Sequence, residues 1–127
     1  MAYEQALKSI SVPASADLSA SQYCFMTIGT DGQLAVCGVD AAIAGVLQDK
    51  PAAAGRAGAL GISGGSKLLC GGSVTMGDRL TSDSSGRAIT IGSGDAWSGA
   101  IALETGSTGI VIAAILQIVG PERSSLA

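Results

Sequence analysis

The side chains that could do chemistry are carboxylates, thiols and hydroxyls, because the 127-residue chain contains no histidine. Without imidazole there is no Ser-His-Asp triad, no Cys-His pair and no histidine metal ligand, and the commonest general base is missing. The carboxylates fall mostly at predicted turns, where Asp stabilises local backbone hydrogen bonds, and no two of them form a recognisable acid/base pair. The sequence therefore predicts a protein that is not an enzyme and that takes no cofactor, metal or small-molecule substrate.

The three thiols are Cys24, Cys37 and Cys70. No two of them form a C-x-x-C pair, which excludes zinc-ribbon and thioredoxin-like readings. Cys24 and Cys37 could face each other across a hairpin, but nothing in the pattern requires a disulfide. We interpret all three as small apolar residues of a protein made in a reducing cytoplasm.

The glycine-rich segments invite phosphate-binding and calcium-binding interpretations, which fail on spacing. Lys67 lies between Ser66 and Leu68 and does not complete a G-x-x-x-x-G-K-[ST] loop. The Gly92-Ser93-Gly94 segment lacks the third glycine of a dinucleotide-binding turn, and residues 78–83 lack the closing Glu of a calcium loop. These segments are typical of tight turns between strands.

The overall charge balance restricts the class of partner. Seven basic residues and a net charge of −3 argue against nucleic acid, whose binding depends on Lys and Arg neutralising phosphates. The apolar run 110–119 is shorter than the about 20 residues that a membrane helix needs, and the N-terminus has no signal-peptide pattern. Charged residues make up only 13% of the chain, against about 25% in typical domains. We expect part of the surface to contact other protein.

Short apolar runs separated by Gly and Ser clusters predict an all-β fold. The Asp31-Gly32 pair between two apolar runs is a strong hairpin signal, and Gly77, Asp78 and Gly86 mark further structural turns. The spacing of the runs predicts one small β-barrel or sandwich with at most one or two short helical turns, at 40–44 or 73–76. The predicted strands span 22–28, 33–39, 44–48, 56–62, 67–70, 87–91, 99–103 and 110–118.

The chain divides into an N-terminal arm at 1–21, a β domain at 22–120 and a C-terminal tail at 121–127. The arm is rich in small polar residues and carries isolated large apolar residues at Tyr3, Leu7, Ile10 and Val12. Serines and Pro13 oppose a stable helix, so we expect an extended arm; a disordered tail is the alternative.

Two segments of the β domain are similar to each other. Residues 45–55 and 99–109 each open with Gly, run apolar, pass through a polar turn and reach another Gly ten residues later, and Asp40 and Asp95 precede them. We interpret them as two similar hairpins of one barrel, with coincidence as the alternative. Trp97, the one tryptophan, lies between Asp95 and the second segment. It is either a packing residue or a contact to a subunit or partner.

Several of these features occur together in a known family. They are the segment 15–23, the Asp31-Gly32 turn, the Gly45-Val46-Leu47 element, the segment 77–88 with Gly77, Asp78 and Gly86, and the segment 99–112. In order and spacing, over about residues 16–119, the chain resembles the small capsid decoration proteins of tailed bacteriophages.

The resemblance implies a compact β fold without enzyme activity that binds the outside of an icosahedral head and stabilises it. It implies the major capsid protein as a partner and self-association, for which we favour a trimer over a dimer. Tyr3, Leu7, Ile10 and Val12 would then contact the capsid or a neighbouring subunit, and Trp97 would contact another subunit or partner. The alternative from a different class is a free-standing, fibre-like β-barrel that recognises a glycan or a peptide.

Overall fold

The computed structural model describes residues 5–39, 41–92 and 97–120. These residues form nine β-strands in one curled, half-barrel sheet and contain no helix, which confirms the all-β prediction. The strands are β1 (Gln5–Pro13), β2 (Phe25–Ile28), β3 (Leu34–Val36), β4 (Gly45–Leu47), β5 (Ala57–Leu69), β6 (Arg79–Ser82), β7 (Ala88–Thr90), β8 (Ser98–Ala102) and β9 (Val111–Val119).

The sheet runs in the order β3-β2-β4-β5-β9-β8-β6-β7, and β1 pairs with β5 outside this path. All named strand pairs are antiparallel. Leu60 of β5 pairs with both Ile10 of β1 and Leu47 of β4, so β1 and β4 lie on opposite edges of β5. Nine residues of the predicted arm, Gln5–Pro13, therefore form an extended strand of the same sheet as the β domain.

The centre of the sheet differs from the sequence prediction, because β5 is one strand of 13 residues where two shorter strands were expected. The intervening segment 63–66 looks like a turn, but Gly64 (φ 99°) is its one residue with a left-handed backbone. The side-chain alternation reverses there, since Leu60 and Leu68 lie in different core clusters. A glycine with positive φ is typical of a β-bulge, which keeps the strand continuous while it turns its faces over.

The loop at 73–76 was predicted as a possible helical turn, and this was wrong. Val74 forms an antiparallel bridge with Gly106, and each backbone N–H donates to the other residue's carbonyl at 2.9 Å. The other helical candidate, 40–44, includes Asp40, which lies outside the described residues.

The core consists of two clusters of buried side chains. The smaller one joins Met26, Leu34, Leu47 and Leu60 to Ala14 and Leu18 of the segment that follows β1. The larger one contains the inward residues of β6 to β9 together with Phe25, Cys37, Ile43 and Val46 from the first half of the chain. Neighbouring residues such as Phe25 and Met26 point into different clusters, so the first half of the sheet is buried on both faces.

The two halves of the chain repeat the same strand pattern. The β2–β3 hairpin pairs Met26 with Val36, and the β6–β7 hairpin pairs Leu80 with Thr90, each position 54 residues later. We call residues 5–63 repeat A and residues 64–119 repeat B. The similar segments 45–55 and 99–109 of the sequence fall within one residue of matching places, since the pairing aligns Gly45 with Ala100. Gly55 and Gly109 have φ values of 86° and 84°.

The correspondence extends to β1 and β5. The first half of β5 pairs with β1, just as β9 pairs with the second half of β5, so Pro13–Ala57 corresponds to Leu69–Val111. β5 thus belongs to both repeats: its first half ends repeat A and its second half begins repeat B. Because of this internal repeat, the burial of a residue in one half can be compared with the burial of the matching residue in the other half.

Candidate functional site

The polar side chains that could have formed a reactive site are used in turns. Asp31 Oδ1 accepts from the backbone N–H of Gln33 at 3.0 Å, and Gly32 has a φ of 78°. Asp83 Oδ1 accepts from the N–H groups of Ser85 (2.8 Å) and Arg87 (2.9 Å). Among the described residues no three His, Cys, Asp or Glu side chains come together as a metal site. The described part of the chain also has no helix of the length and apolarity needed to cross a bilayer.

The remaining predicted turn residues have similar local roles. Gly77 and Gly86 have φ values of 91° and 80°, a conformation that glycine adopts without steric cost. Asp78 Oδ2 accepts from the N–H of Thr75 and from the Thr90 hydroxyl, both at 2.9 Å. These contacts fix the loops between β5 and β7.

The three thiols are buried, and none of them forms a disulfide. Burial, together with a smaller effect of the nearby Asp83 carboxylate, raises the pKa of Cys24 to about 11. Burial also raises the pKa of Cys37 and of Cys70. A thiol that stays protonated is a poor nucleophile and a poor metal ligand, so these cysteines act as core residues.

The residues proposed from the arm have different environments. Leu7 packs against the larger core cluster and Val12 against the smaller one, and both are half-buried. Ile10 is 47% exposed, so it is the one of these three that presents a largely free apolar side chain. Tyr3 lies outside the described residues, as does Asp95. Trp97 is half-buried and packs against the larger cluster.

A row of residues across one face of repeat B is a partly exposed, mainly apolar feature that the strand pairing brings together. Ile115 of β9 pairs with Ile101 of β8, which pairs with Arg79 of β6, and the N–H of Ile91 donates to the Arg79 carbonyl at 3.0 Å. Ile115 is 42% exposed, Arg79 is exposed, and Ile101 and Ile91 are half-buried. We call these four residues the repeat-B row.

The matching positions of repeat A are fully buried. Gly61 pairs with Val46, Val46 pairs with Phe25, and the N–H of Cys37 donates to the Phe25 carbonyl at 3.0 Å. Phe25, Cys37 and Val46 have no exposed surface. We call these four residues the repeat-A row. The same face of the same structural unit is therefore covered in one half of the molecule and open in the other.

The alternation of apolar and polar residues along each strand does not predict which residues form the repeat-B row or that the row is exposed. Its members come from four elements, and β6 was not predicted as a strand because its single large apolar residue, Leu80, lies between two turn signals. The similarity of 45–55 to 99–109 was the available signal, since a repeat implies matched faces.

Tyr23 is a further residue that the sequence pattern did not mark. It is the non-glycine residue with positive φ (66°) among those described, and its repeat-B counterpart is Gly77 (φ 91°). Its N–H donates to the Leu47 carbonyl at 2.7 Å and its carbonyl accepts from Leu69 at 2.9 Å. The Lys67 ammonium lies 5.6 Å from the centre of its ring, within cation–π range. These contacts hold the strained backbone in place.

The described residues form a small all-β protein built from two similar halves, and the row on one face of repeat B is more exposed than its counterpart in repeat A. No protein-family model matches the chain, and no curated protein matches it at a significant level. The chain is similar in structure to the crystal structure of the head fiber gp8.5 N base in bacteriophage phi29. The TM-score is 0.65 with 15% sequence identity, and the match covers 92% of this chain and 99% of that one. At this identity, the similarity establishes a shared fold.

Proposed function

We propose that the protein is a structural component of a tailed-phage virion that binds the outer surface of the icosahedral head as a symmetric oligomer and stabilises it. The observation that carries the proposal is the structural match, which extends over nearly the whole of this chain and of a phage head fiber base. The sequence resemblance to capsid decoration proteins points independently to the same location. The partners would be the major capsid protein and further copies of the chain, with a trimer favoured.

The surface of the molecule supports a role in protein contact. Nine large apolar side chains are exposed among the described residues, whereas only 13% of the whole chain is charged. Exposed apolar groups that are close together mark interaction sites in soluble proteins. A single small protein would bind a head weakly, but an oligomer contacts several capsid subunits at once and gains avidity.

The test is binding to heads purified from the phage that encodes the chain, after removal of the endogenous protein. Full-length chain is mixed with these heads and sedimented, and the bound amount is measured against concentration. We expect saturable binding and increased resistance of the heads to heat or chelator. A chain that stays in the supernatant at micromolar concentration would overturn the proposal.

Ile10 gives a sharper version of this test, because it is exposed on β1 and belongs to the predicted capsid contact. We expect Ile10→Asp to reduce head binding at least tenfold while leaving the unfolding temperature close to that of the parent. The matched control is Met76→Asp, which changes a side chain of even greater exposure (64%) in a loop of repeat B. Equal binding by parent, variant and control would remove β1 from the capsid contact.

A fibre-like adhesion module is the second candidate, because the structural match is to the base of a head fiber. Such a module would recognise a glycan or peptide in place of the capsid. A glycan panel screened by thermal shift separates the two: stabilisation by a glycan, without head binding, favours the module.

A further inference from the structure

We propose that copies of the chain associate head to tail, with the turn and strand end of repeat A in one copy covering the repeat-B row of the next. This inference deepens the oligomer of the proposed function by naming the two surfaces that meet. It rests on the contact that the two repeats make inside the chain.

The contact inside the chain shows how a repeat covers the row of its neighbour. The N–H of Phe25, in the repeat-A row, donates to the carbonyl of Gly86 in the β6–β7 turn at 2.6 Å. The Ser82 hydroxyl at the end of β6 donates to the Cys37 carbonyl at 3.2 Å. Gly99 lies against the Phe25 ring so closely that a Cβ would collide with it. The covering surface of repeat B is therefore Ser82, Gly86 and Gly99.

The counterparts of these covering residues in repeat A are Ile28, Gly32 and Ala44, and they face no second repeat. Ile28 is 41% exposed, Gly32 is exposed with no atom within 4 Å of where its Cβ would lie, and Ala44 is half-buried. The molecule thus carries one unused covering surface, on repeat A, and one uncovered row, on repeat B.

The chemistry of the two free surfaces is complementary. The exposed residue Asp31 precedes Gly32, and Arg79 takes the place of Phe25 in the repeat-B row. Arg79 is an exposed residue whose Nη1 donates to the Ser98 hydroxyl at 3.5 Å. Superposing the internal contact on a neighbouring copy brings these two opposite charges together. It also brings Ile28, which replaces Ser82, towards Ile91, which replaces Cys37. Where the internal contact uses a hydroxyl on a backbone carbonyl, the contact between copies would use two isoleucines.

A second observation concerns the end of the repeat pair. Repeat proteins that remain monomeric end in units whose outer face is polar. The repeat-B row instead presents three isoleucines around a single arginine, next to exposed Val111 of β9 and exposed Leu103, the residue after β8. A terminal unit with an apolar face is expected to be covered by a further unit, and the unit with a matching surface is another copy of this chain.

Two different surfaces meet in this arrangement, so the interface is heterologous, and it closes into a ring or continues as a filament. Light scattering after size-exclusion chromatography gives the mass of the full-length parent chain. We expect an assembly larger than one chain. We expect Ile101→Asp, which changes the repeat-B row, and Asp31→Arg, which changes the covering turn, each to lower that mass. The control, Met76→Asp, is expected to keep the mass of the parent.

Mixing the two variants tests the direction of the contact. Each variant retains one intact surface of opposite type, so an equimolar mixture is expected to form a complex of two chains and stop there. An isologous contact between two repeat-B rows would instead be lost in Ile101→Asp and kept in Asp31→Arg, and mixing would not bring Ile101→Asp into a complex. Asp31→Arg combined with Arg79→Asp in one chain is expected to restore at least part of the assembly. Circular dichroism of each variant distinguishes loss of contact from loss of fold.

The outcomes separate this inference from the proposed function. An oligomer whose mass is unchanged by Ile101→Asp and Asp31→Arg, or a parent chain that is monomeric at all concentrations, overturns the head-to-tail contact. Head binding is measured separately by sedimentation, and saturable binding would still support the location on the head that the proposed function gives. Conversely, a head-to-tail assembly that does not bind heads would support the contact and overturn the proposed function.

Discussion

At the scale of single residues, several polar side chains of the described residues stabilise local turns. Asp31 and Asp83 occupy related turns in the two repeats and accept hydrogen bonds from backbone N–H groups within four residues of themselves. The cysteines are core residues, and their thiols are held in the neutral form by burial. These turn contacts agree with the prediction that the carboxylates stabilise backbone hydrogen bonds at turns.

Cys24 makes the alkaline stability of the protein predictable. Burial, with Asp83 second, raises the pKa of this thiol from 9.0 to about 11. The raised pKa means that the unfolded chain loses the proton first, so stability is retained below pH 9 and is lost as pH rises towards 11. The loss from this one group is on the order of 2 kcal/mol at pH 11. Urea unfolding at a series of pH values between 8 and 11 measures it.

The control for this prediction is Cys24→Ala, which removes the titrating group. Its unfolding free energy is expected to be lower than that of the parent at pH 8 and to fall less steeply above pH 9. A variant whose pH dependence is as steep as that of the parent would show that other groups, and not Cys24, cause the alkaline loss.

At the scale of elements, the two repeats provide a matched pair of glycines. Gly32 and Gly86 both have a left-handed backbone, with φ values of 78° and 80°. A Cβ at position 32 would meet open space, whereas one at position 86 would lie 2.9 Å from the Phe25 carbonyl and from Val36. Gly32→Ala is expected to cost the left-handed strain alone, about 1–2 kcal/mol. Gly86→Ala is expected to cost about 1–3 kcal/mol more, because the internal repeat contact is overpacked.

Chemical denaturation of the two variants at low protein concentration checks this difference. Equal destabilisation of Gly32→Ala and Gly86→Ala would mean that the β6–β7 turn does not press on repeat A. At high concentration the roles separate further, since Gly32→Ala is also expected to weaken assembly.

A substitution at Gly64 provides a second test at this scale. The positive φ of this residue allows β5 to continue from repeat A into repeat B while its faces reverse. Gly64→Ala adds left-handed strain of about 1–2 kcal/mol at the bulge where the faces of the strand reverse. Unfolding followed by urea should show this loss relative to Gly72→Ala, where a Cβ would meet only Ile89 at an ordinary 3.5 Å. If both variants are equally stable, the bulge is not needed to join the repeats.

The same elements show why part of the fold was predictable. Turn chemistry is local, so the Asp31-Gly32 hairpin and the strands on either side of it follow from neighbouring residues. The segment 63–66 has the composition of a turn, and only the pairing of β5 with β1 and β9 keeps it extended. β1 shows weak alternation because the register shifts between Lys8 and Ser9, and β6 is only four residues long. The extents of β1, β5 and β6 therefore depend on pairing between residues distant in the sequence, which the local sequence pattern does not show.

At the scale of the whole molecule, the two repeats share their burial unequally. Phe25, Cys37 and Val46 of repeat A are fully buried in the larger core cluster, whereas in the matching row of repeat B two residues are exposed and two are half-buried. The sequence does not predict the exposure of the repeat-B row, because that exposure depends on which of the two repeats is covered by the other. Part of the core that a single chain lacks would form on association.

This division predicts that the thermal stability of the protein depends on its concentration. Binding that occurs in the folded state alone stabilises that state by mass action, so Tm rises with protein concentration when the folded chains associate. We expect the parent chain to unfold at a higher temperature at 100-fold greater concentration, with Ile101→Asp unfolding at one temperature throughout the range. Differential scanning calorimetry at several concentrations measures both. A parent Tm that does not move with concentration would mean that each chain carries its full stability alone, and the open row of repeat B would then contribute nothing to the folded state.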